Sequence, residues 1–239
     1  MKNKFELLPS IMCINWLEAK KDLDVIADKV TYFHWDLVDG NFAPDFTMGS
    51  SIINTIREQY PNKGDFHLMI DEPSRLFKSF NLQEGDRVCI HVECSKNLHR
   101  DICRLRNMGV SPGVALSPAT PLSTLDYILK DIDRVLLLTV NPGFHSQPMV
   151  KQVVDKIKKL SLILEETQTD SVEIVVDGHV NLNTIPKMYQ NGARGFVLGR
   201  SGLFGKDSKR NLDHIVTLLQ ELESKQDKLS PITSIGYLS

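Results

Sequence analysis

Phe33-His34-Trp35-Asp36-Leu37-Val38-Asp39-Gly40 is an apolar run with a histidine and an aspartate set two residues apart, closed by an Asp-Gly turn. Side chains alternate across a β-strand, so His34 and Asp36 share one face while Trp35 and Leu37 share the other. The strand is hydrophobic on both sides, as expected where both faces of a parallel sheet are covered. Polar groups carried into an interior are costly unless they are paired or bound to something. Read alone, the stretch fits a structural His–Asp pair as well as a functional one.

Outward from this strand, β-rich runs alternate with amphipathic ones eight times. The strands are expected at Phe5–Met12, Tyr32–Leu37, Asp65–Met69, Arg87–Val92, Gly113–Leu116, Arg134–Val140, Val172–Val176 and Gly195–Leu198. Helices are expected near Trp16–Asp28, Ser50–Gln59, Ser74–Phe80, Asn97–Met108, Leu122–Leu129, Met149–Glu166, Leu182–Gln190 and Asn211–Glu223. Val153, Val154, Ile157, Leu160, Ile163 and Leu164 recur at helical spacing. Ser95 and Ser123 lie near expected helix starts, and Gly109 and Gly192 follow expected helix ends. Eight βα units favour a closed (β/α)8 TIM barrel over an open doubly wound sheet. No linker divides the chain, so residues 1–239 are expected to form a single barrel domain with 230–239 as a peripheral tail.

The composition agrees. The chain has 239 residues, 41% of them hydrophobic, close to the roughly 250 of a typical barrel. Its 28 Lys+Arg against 30 Asp+Glu leave no basic excess for nucleic acid or a membrane surface. The longest apolar run, Val135-Leu-Leu-Leu-Thr-Val140, is too short to span a bilayer. The first ten residues carry no apolar stretch of signal-peptide length, so a cytoplasmic protein is expected. Cys13, Cys89, Cys94 and Cys103 include no C-x-x-C pair and read as free, mostly buried thiols.

Two further strand ends repeat the polar signal. Phe66-His67-Leu68-Met69 places His67 near the end of the third strand, and the seventh runs into Asp177-Gly178. Active sites of barrels are built at the C-terminal ends of strands. His34, Asp36, His67 and Asp177 together make a ligand set for one divalent cation: zinc first, with Fe(II), Mn(II) and Co(II) compatible. Glycine-containing loops follow strands six, seven and eight: Asn141–Gln147, Asp177–Val180 and Gly199–Gly202. Their converging backbone amides suit a phosphate group.

These residues resemble the ribulose-phosphate 3-epimerase family over nearly the whole chain. The matching motifs are Pro9-Ser10-Ile-Met12, His34-x-Asp36-x-x-Asp39-Gly40-x-Phe42-x-Pro44 and His67-Leu68-Met69. They continue with Ser117-Pro-Ala-Thr-Pro121, Thr139-Val-Asn-Pro-Gly-Phe144, Val176-Asp177-Gly178 and Gly199-x-Ser201. The resemblance implies a metal-dependent isomerase that inverts C3 of a phosphorylated keto-sugar, D-ribulose 5-phosphate in the first place. His34, Asp36, His67 and Asp177 would bind the metal, and Asp36 and Asp177 would exchange protons with substrate through an ene-diolate. Ser10 and His67 would contact the sugar. Gly143, Phe144, His145, Ser146, Gly178, His179, Gly199 and Arg200 would hold the phosphate, and Met12 and Met69 would line the reaction site. A homo-oligomer is expected.

The chain also departs from the family pattern. His145 and Ser146 stand where two glycines are usual, His179 replaces a glycine, and Arg200 replaces a small hydroxyl residue. Asp45 stands where Asn is frequent, and Val38 where a methionine is expected. Arg200-Ser-Gly-Leu-Phe204 looks like the allulose-6-phosphate 3-epimerase branch, whereas Asn141 looks like the pentose enzymes. Orotidine-decarboxylase-like and Schiff-base barrels need an interior strand-end lysine, which none of the expected strands offers. A non-catalytic sugar-phosphate binder has no need of two aspartates.

Overall fold

Eight strands occur where eight were expected: β1 Glu6–Pro9, β2 Tyr32–Val38, β3 Lys63–Met69, β4 Arg87–His91, β5 Ser111–Leu116, β6 Arg134–Leu138, β7 Glu173–Asp177 and β8 Gly195–Leu198. The structure is a computed structural model that describes residues 5–143 and 147–229. The strands pair in parallel in chain order from β2 through β8, and β8 pairs with β1. A parallel bridge between Ser10 and His34 brings the end of β1 against β2, so the sheet curls into a barrel.

The covering helices are α1 Ala19–Ile26, α2 Ser50–Gln59, α3 Leu98–Asn107, α4 Val153–Glu166, α5 Ile185–Gln190 and α6 Ser208–Leu229. The periodic residues Val153, Val154, Ile157, Leu160 and Leu164 of α4 are all buried. Fully burying a Leu or Phe contributes about 1.5–3 kcal/mol, so such stripes fix each helix against its strands. Gly109, which follows α3, and Gly192, which follows α5, take positive φ and stop those helices. Ser95 does not cap α3; its hydroxyl donates to Asp101 instead.

Two expected helices are shorter 3-10 turns. Between β3 and β4 the left-handed residues Glu72 and Asn81 bracket turns at Pro73–Arg75 and Phe77–Phe80, which leaves no room for a full helix. Between β5 and β6 the turns are Leu122–Leu125 and Leu129–Asp131. There Leu122, Leu125 and Ile128 recur every third residue, a spacing that stacks in 3-10 geometry. The last helix, by contrast, runs longer than its apolar pattern and is described through Leu229. The tail 230–239 lies outside the described residues. Among those described, no helix is long and apolar enough to cross a membrane.

Alternation sorts the strand side chains into two environments. Phe33, Trp35, Leu37, Phe66, Leu68, Val135 and Leu137 pack outward in the large core beneath the helices. Leu8, Cys89, Ala115, Leu136, Val175 and Val197 form a small apolar layer inside the barrel. The same inward register carries Glu6, Arg87, Arg134 and Glu173 toward the N-terminal end and Ser10, Asp36, His67, His91 and Asp177 toward the C-terminal end. Gly113 makes room for one of these: a Cβ there would come within 2.4 Å of the Arg134 stem and 2.7 Å of Cys89 Sγ. All four cysteines are free.

Candidate functional site

The four strand-end residues meet at one point. One donor atom from each of His34, Asp36, His67 and Asp177 lies within 4.8 Å of the others. Asp36 Oδ1 is 3.2 Å from His34 Nε2 and 3.2 Å from His67 Nδ1. Asp177 Oδ2 is 3.2 Å from His67 Nδ1 and 3.8 Å from His34 Nε2. Donors bonded at about 2.1 Å to a tetrahedral ion lie about 3.4 Å apart, so the observed separations fit one cation with four protein ligands. The donor set, two imidazoles and two carboxylates, suits a divalent transition metal.

Each donor is aimed by a neighbour. His34 turns Nε2 to the centre because its Nδ1 is 2.7 Å from Asp65 Oδ2. Asp65 is gripped in turn by the Arg134 guanidinium at 2.8 Å, and Arg134 reaches Glu173 at 2.6 Å. Ser10 donates its hydroxyl to Asp36 Oδ2 at 2.5 Å, which leaves Oδ1 facing the imidazoles. Behind His67, Nε2 lies 2.9 Å from His91 Nε2, and His91 Nδ1 lies 2.9 Å from Glu93 Oε2. Asp177 is reached by the strand, and Gly178 at φ +101° turns the chain away immediately after it.

Burial and charge oppose one another here, and charge prevails at the centre. Burial would raise the Asp36 carboxyl, but the charges and hydrogen bonds of His34 and His67 hold it well below the usual carboxylate range. Burial likewise disfavours a charged His34, yet Asp36 and Asp65 raise it well above the ordinary imidazole value. His67 is raised by Asp177 and Asp36 against the same penalty. His91 goes the other way: burial and the neighbouring His67 take it down to about 4, with Glu93 opposing. Glu93, despite partial burial, is held at about 2 by His91, Thr120 and the Ser117 amide.

Around the donors lies a cleft of about 130 Å³ lined by Ser10, Met12, Asp36, Val38, Met69 and Asp177, with the strand-end loops at its rim. Gly143, Gly178, His179, Gly199 and Arg200 all border it, so three loops do converge on one opening. Phe144, His145 and Ser146 lie outside the described residues. His179 keeps a left-handed φ of +51°, costly for a side chain other than glycine. Its carbonyl accepts hydrogen bonds from Asn181 at 3.1 Å and Thr184 at 2.9 Å, which hold the turn in place. Arg200 is exposed. A larger cavity, about 1140 Å³, lies at the opposite barrel end among Glu6, Arg87, Arg134 and Glu173, away from all four donors.

Sequence reasoning missed Asp65, His91 and Glu93. Each lies two positions from another polar residue, His91 and Glu93 at and just beyond the end of β4 but Asp65 near the start of β3, where a charge reads as ordinary exposure. Asp65-x-His67 and His91-x-Glu93 repeat the spacing of His34-x-Asp36.

A family model described as the ribulose-phosphate 3 epimerase family matches residues 6–204. A ribulose-phosphate 3-epimerase of Bacillus subtilis is 34% identical over 206 residues, covering 86% of this chain and 94% of that protein. One from Methanocaldococcus jannaschii is 36% identical over 178 residues, 74% of each chain. Among solved structures, 3-keto-L-gulonate-6-phosphate decarboxylase from Vibrio cholerae superposes with a TM-score of 0.65 at 10% identity, covering 92% of this chain and 99% of that one. The 3-hexulose-6-phosphate synthase of Salmonella typhimurium gives 0.63 at 16% identity, with 91% and 99% covered. At such identities the structural likeness speaks for the barrel alone.

Proposed function

Because the chain belongs to the ribulose-phosphate 3-epimerase family, and is thereby an isomerase acting on carbohydrates, we propose that it inverts C3 of D-ribulose 5-phosphate to give D-xylulose 5-phosphate. The cofactor of this reading is one divalent cation, zinc first, bound by His34, Asp36, His67 and Asp177. The observation that carries it is the meeting of two carboxylates from different walls of the barrel: Asp36 of β2 and Asp177 of β7 each place an oxygen 3.2 Å from His67 Nδ1.

When bound, the cation supplies Lewis-acid stabilisation for the negative charge that develops on substrate oxygens as a proton α to a ketone departs. Inversion requires one proton acceptor and one proton donor on opposite faces of the carbon. Asp36, held ionised by its imidazole neighbours, takes the C3 proton from one face, and Asp177 returns one to the other. In the reverse direction they exchange roles. Ser10 holds Asp36 in place and contacts the sugar. Met12, Met69 and Val38 exclude water without offering another acid. The phosphate sits against Gly143, Gly178, His179, Gly199 and Arg200. Its grip fixes the reacting carbon between the two aspartates.

The pentose is favoured over a six-carbon phosphate by the names of the relatives. The experiment is a side-by-side measurement of D-ribulose 5-phosphate and D-allulose 6-phosphate with zinc-loaded protein, following turnover and wash-in of solvent deuterium at C3. The expected kcat/KM is at least about tenfold higher for the pentose, on the scale of one carbon's worth of discrimination. A preference for the hexulose phosphate reassigns the substrate. No wash-in with either sugar removes the enzymatic reading and leaves a binding protein.

A further inference from the structure

We infer that His91 and Glu93 are positioning residues that decide which nitrogen of His67 carries its proton, and so keep the His67 Nδ1 lone pair turned toward the cation. The inference rests on the metal reading above and extends it to two residues outside the four-donor set.

The argument is one of hydrogen-bond direction. His67 presents Nδ1 to Asp36 and Asp177, each 3.2 Å away, while its Nε2 sits 2.9 Å from His91 Nε2. Two ring nitrogens at that separation share a single proton, one donating and the other accepting. A ligating Nδ1 carries no proton, so a neutral His67 carries it on Nε2 and donates to His91. His91 must then offer a bare Nε2, and its own proton belongs on Nδ1, 2.9 Å from Glu93 Oε2. Glu93 closes the chain because a carboxylate only accepts. Its other oxygen, Oε1, accepts the Ser117 N–H at 2.9 Å and the Thr120 hydroxyl. Every proton in the series therefore points from His67 toward Glu93.

His34 uses a one-step form of the same device, with Asp65 directly on Nδ1 at 2.7 Å. His67 ligates through the other nitrogen, so its Nε2 points across the barrel mouth, and the His91 ring spans the distance to a carboxylate anchored on the next loop. That ring is fully buried and is packed by Phe42, with ring centroids 4.6 Å apart.

Glu93→Gln and Glu93→Ala separate this role from simple packing. In Glu93→Gln the Ser117 N–H still needs an acceptor, which places the amide oxygen at the Oε1 position and the NH2 group opposite His91 Nδ1. The amide then donates where the carboxylate accepted. The polarity of the series reverses, and His67 is left with its proton on Nδ1, facing the cation. Glu93→Ala removes the bias without reversing it. Zinc affinity, measured by competition with a chelator, is expected to fall about 10–100-fold in Glu93→Gln and by no more than that in Glu93→Ala. A packing role predicts the opposite order, because glutamine preserves the shape. Long-range ¹H–¹⁵N NMR of zinc-loaded wild type should show His91 protonated at Nδ1 and bare at Nε2, a readout that needs no variant to fold.

Wild-type zinc affinity retained in Glu93→Gln, a larger loss in Glu93→Ala than in Glu93→Gln, or a His91 proton on Nε2 would each overturn the inference. Failure of wild type itself to bind zinc, iron(II), manganese or cobalt would instead sink the metal reading, and this inference with it.

Discussion

The barrel buries charge at both ends, and the two ends solve the problem differently. Toward the N-terminal end, Glu6, Asp65 and Glu173 are met by the guanidinium groups of Arg87 and Arg134, with Arg134 bonded to Asp65 at 2.8 Å and to Glu173 at 2.6 Å. Toward the C-terminal end, Asp36 and Asp177 converge on His34 and His67, and the four-donor set includes no Lys or Arg. A guanidinium is a permanent charge locked into the fold, whereas an imidazole gives up its proton readily. The lower cluster therefore carries fixed counter-charges of its own, whereas the imidazoles of the upper one can give theirs up. On the proposed function, the difference separates a cluster that holds the barrel together from one that would handle a cation and a proton.

Asp177→Asn attacks the upper end and carries the largest expected effect. Loss of a positioned acid or base costs about 10²–10⁴ in rate, and this residue is also a proposed ligand, so kcat should fall by at least that much. Its urea midpoint in the metal-free protein should stay at or above the wild-type value, since an exchangeable site trades stability for function. Near-normal turnover would remove Asp177 from the proton pair.

Arg134→Met attacks the lower end and should show the reverse pattern in stability. Removing one partner of a buried ion pair costs about 3–5 kcal/mol, because Asp65 and Glu173 lose the guanidinium bonded to both. The same variant should also flatten the acid dependence of stability. Burial alone would raise Asp65, yet Arg134 and His34 hold it at about 2, below the ordinary 3.8. Its stabilisation is thus complete above about pH 4 and is lost as pH falls toward about 2, worth on the order of 2 kcal/mol. Urea titrations at pH 7, 4 and 3 on wild type and Arg134→Met test this. An unchanged midpoint in the variant would mean that the lower cluster does not hold the barrel.

The upper end was far more legible in the sequence than the lower. Functional residues had to lie at strand ends, and four polar residues on three apolar strands stood out against their neighbours. Asp65 and Arg134 begin their runs at the opposite end, where a charge at a strand start reads as ordinary solvent exposure. Only the closed barrel shows that they meet, across 69 residues of chain. Gly113 is similar: as a residue type it suggests a turn, but its use is to let the Arg134 stem cross the interior. The Ser74–Phe80 and Leu122–Leu129 segments failed for a local reason. Their apolar residues suit both a helix and successive 3-10 turns, and the left-handed conformations of Glu72 and Asn81 leave no mark that the apolar pattern detects.

The exchangeable character of the upper cluster has its own signature. His34 and His67 are raised by the carboxylates around them, so these imidazoles bind protons more readily than a free imidazole, and a cation bound there would compete with those protons. Zinc affinity should therefore climb with pH, by about tenfold per unit for each proton displaced, and level off once both imidazoles are neutral. Chelation should abolish turnover, and added divalent cation should restore it. Competition titrations between pH 6 and pH 8 decide the matter, and a flat affinity across that range would take the imidazoles out of the ligand set.

Arg200 carries the smallest expected effect and marks where the upper end stops. It borders the cleft beside Gly199, yet its side chain is exposed, and water screens a charge so placed from any anion it meets. In the proposed reading the phosphate is held chiefly by backbone amides of the loops, which would not depend on this side chain. Arg200→Ser should accordingly raise KM for the phosphorylated sugar by no more than about fivefold, on the scale of an exposed ion pair. kcat should stay unchanged, and added salt should erase the difference. A KM effect of a hundredfold that survives salt would make Arg200 a buried phosphate ligand in the closed complex, and would extend the permanent charge of the lower end to the site itself.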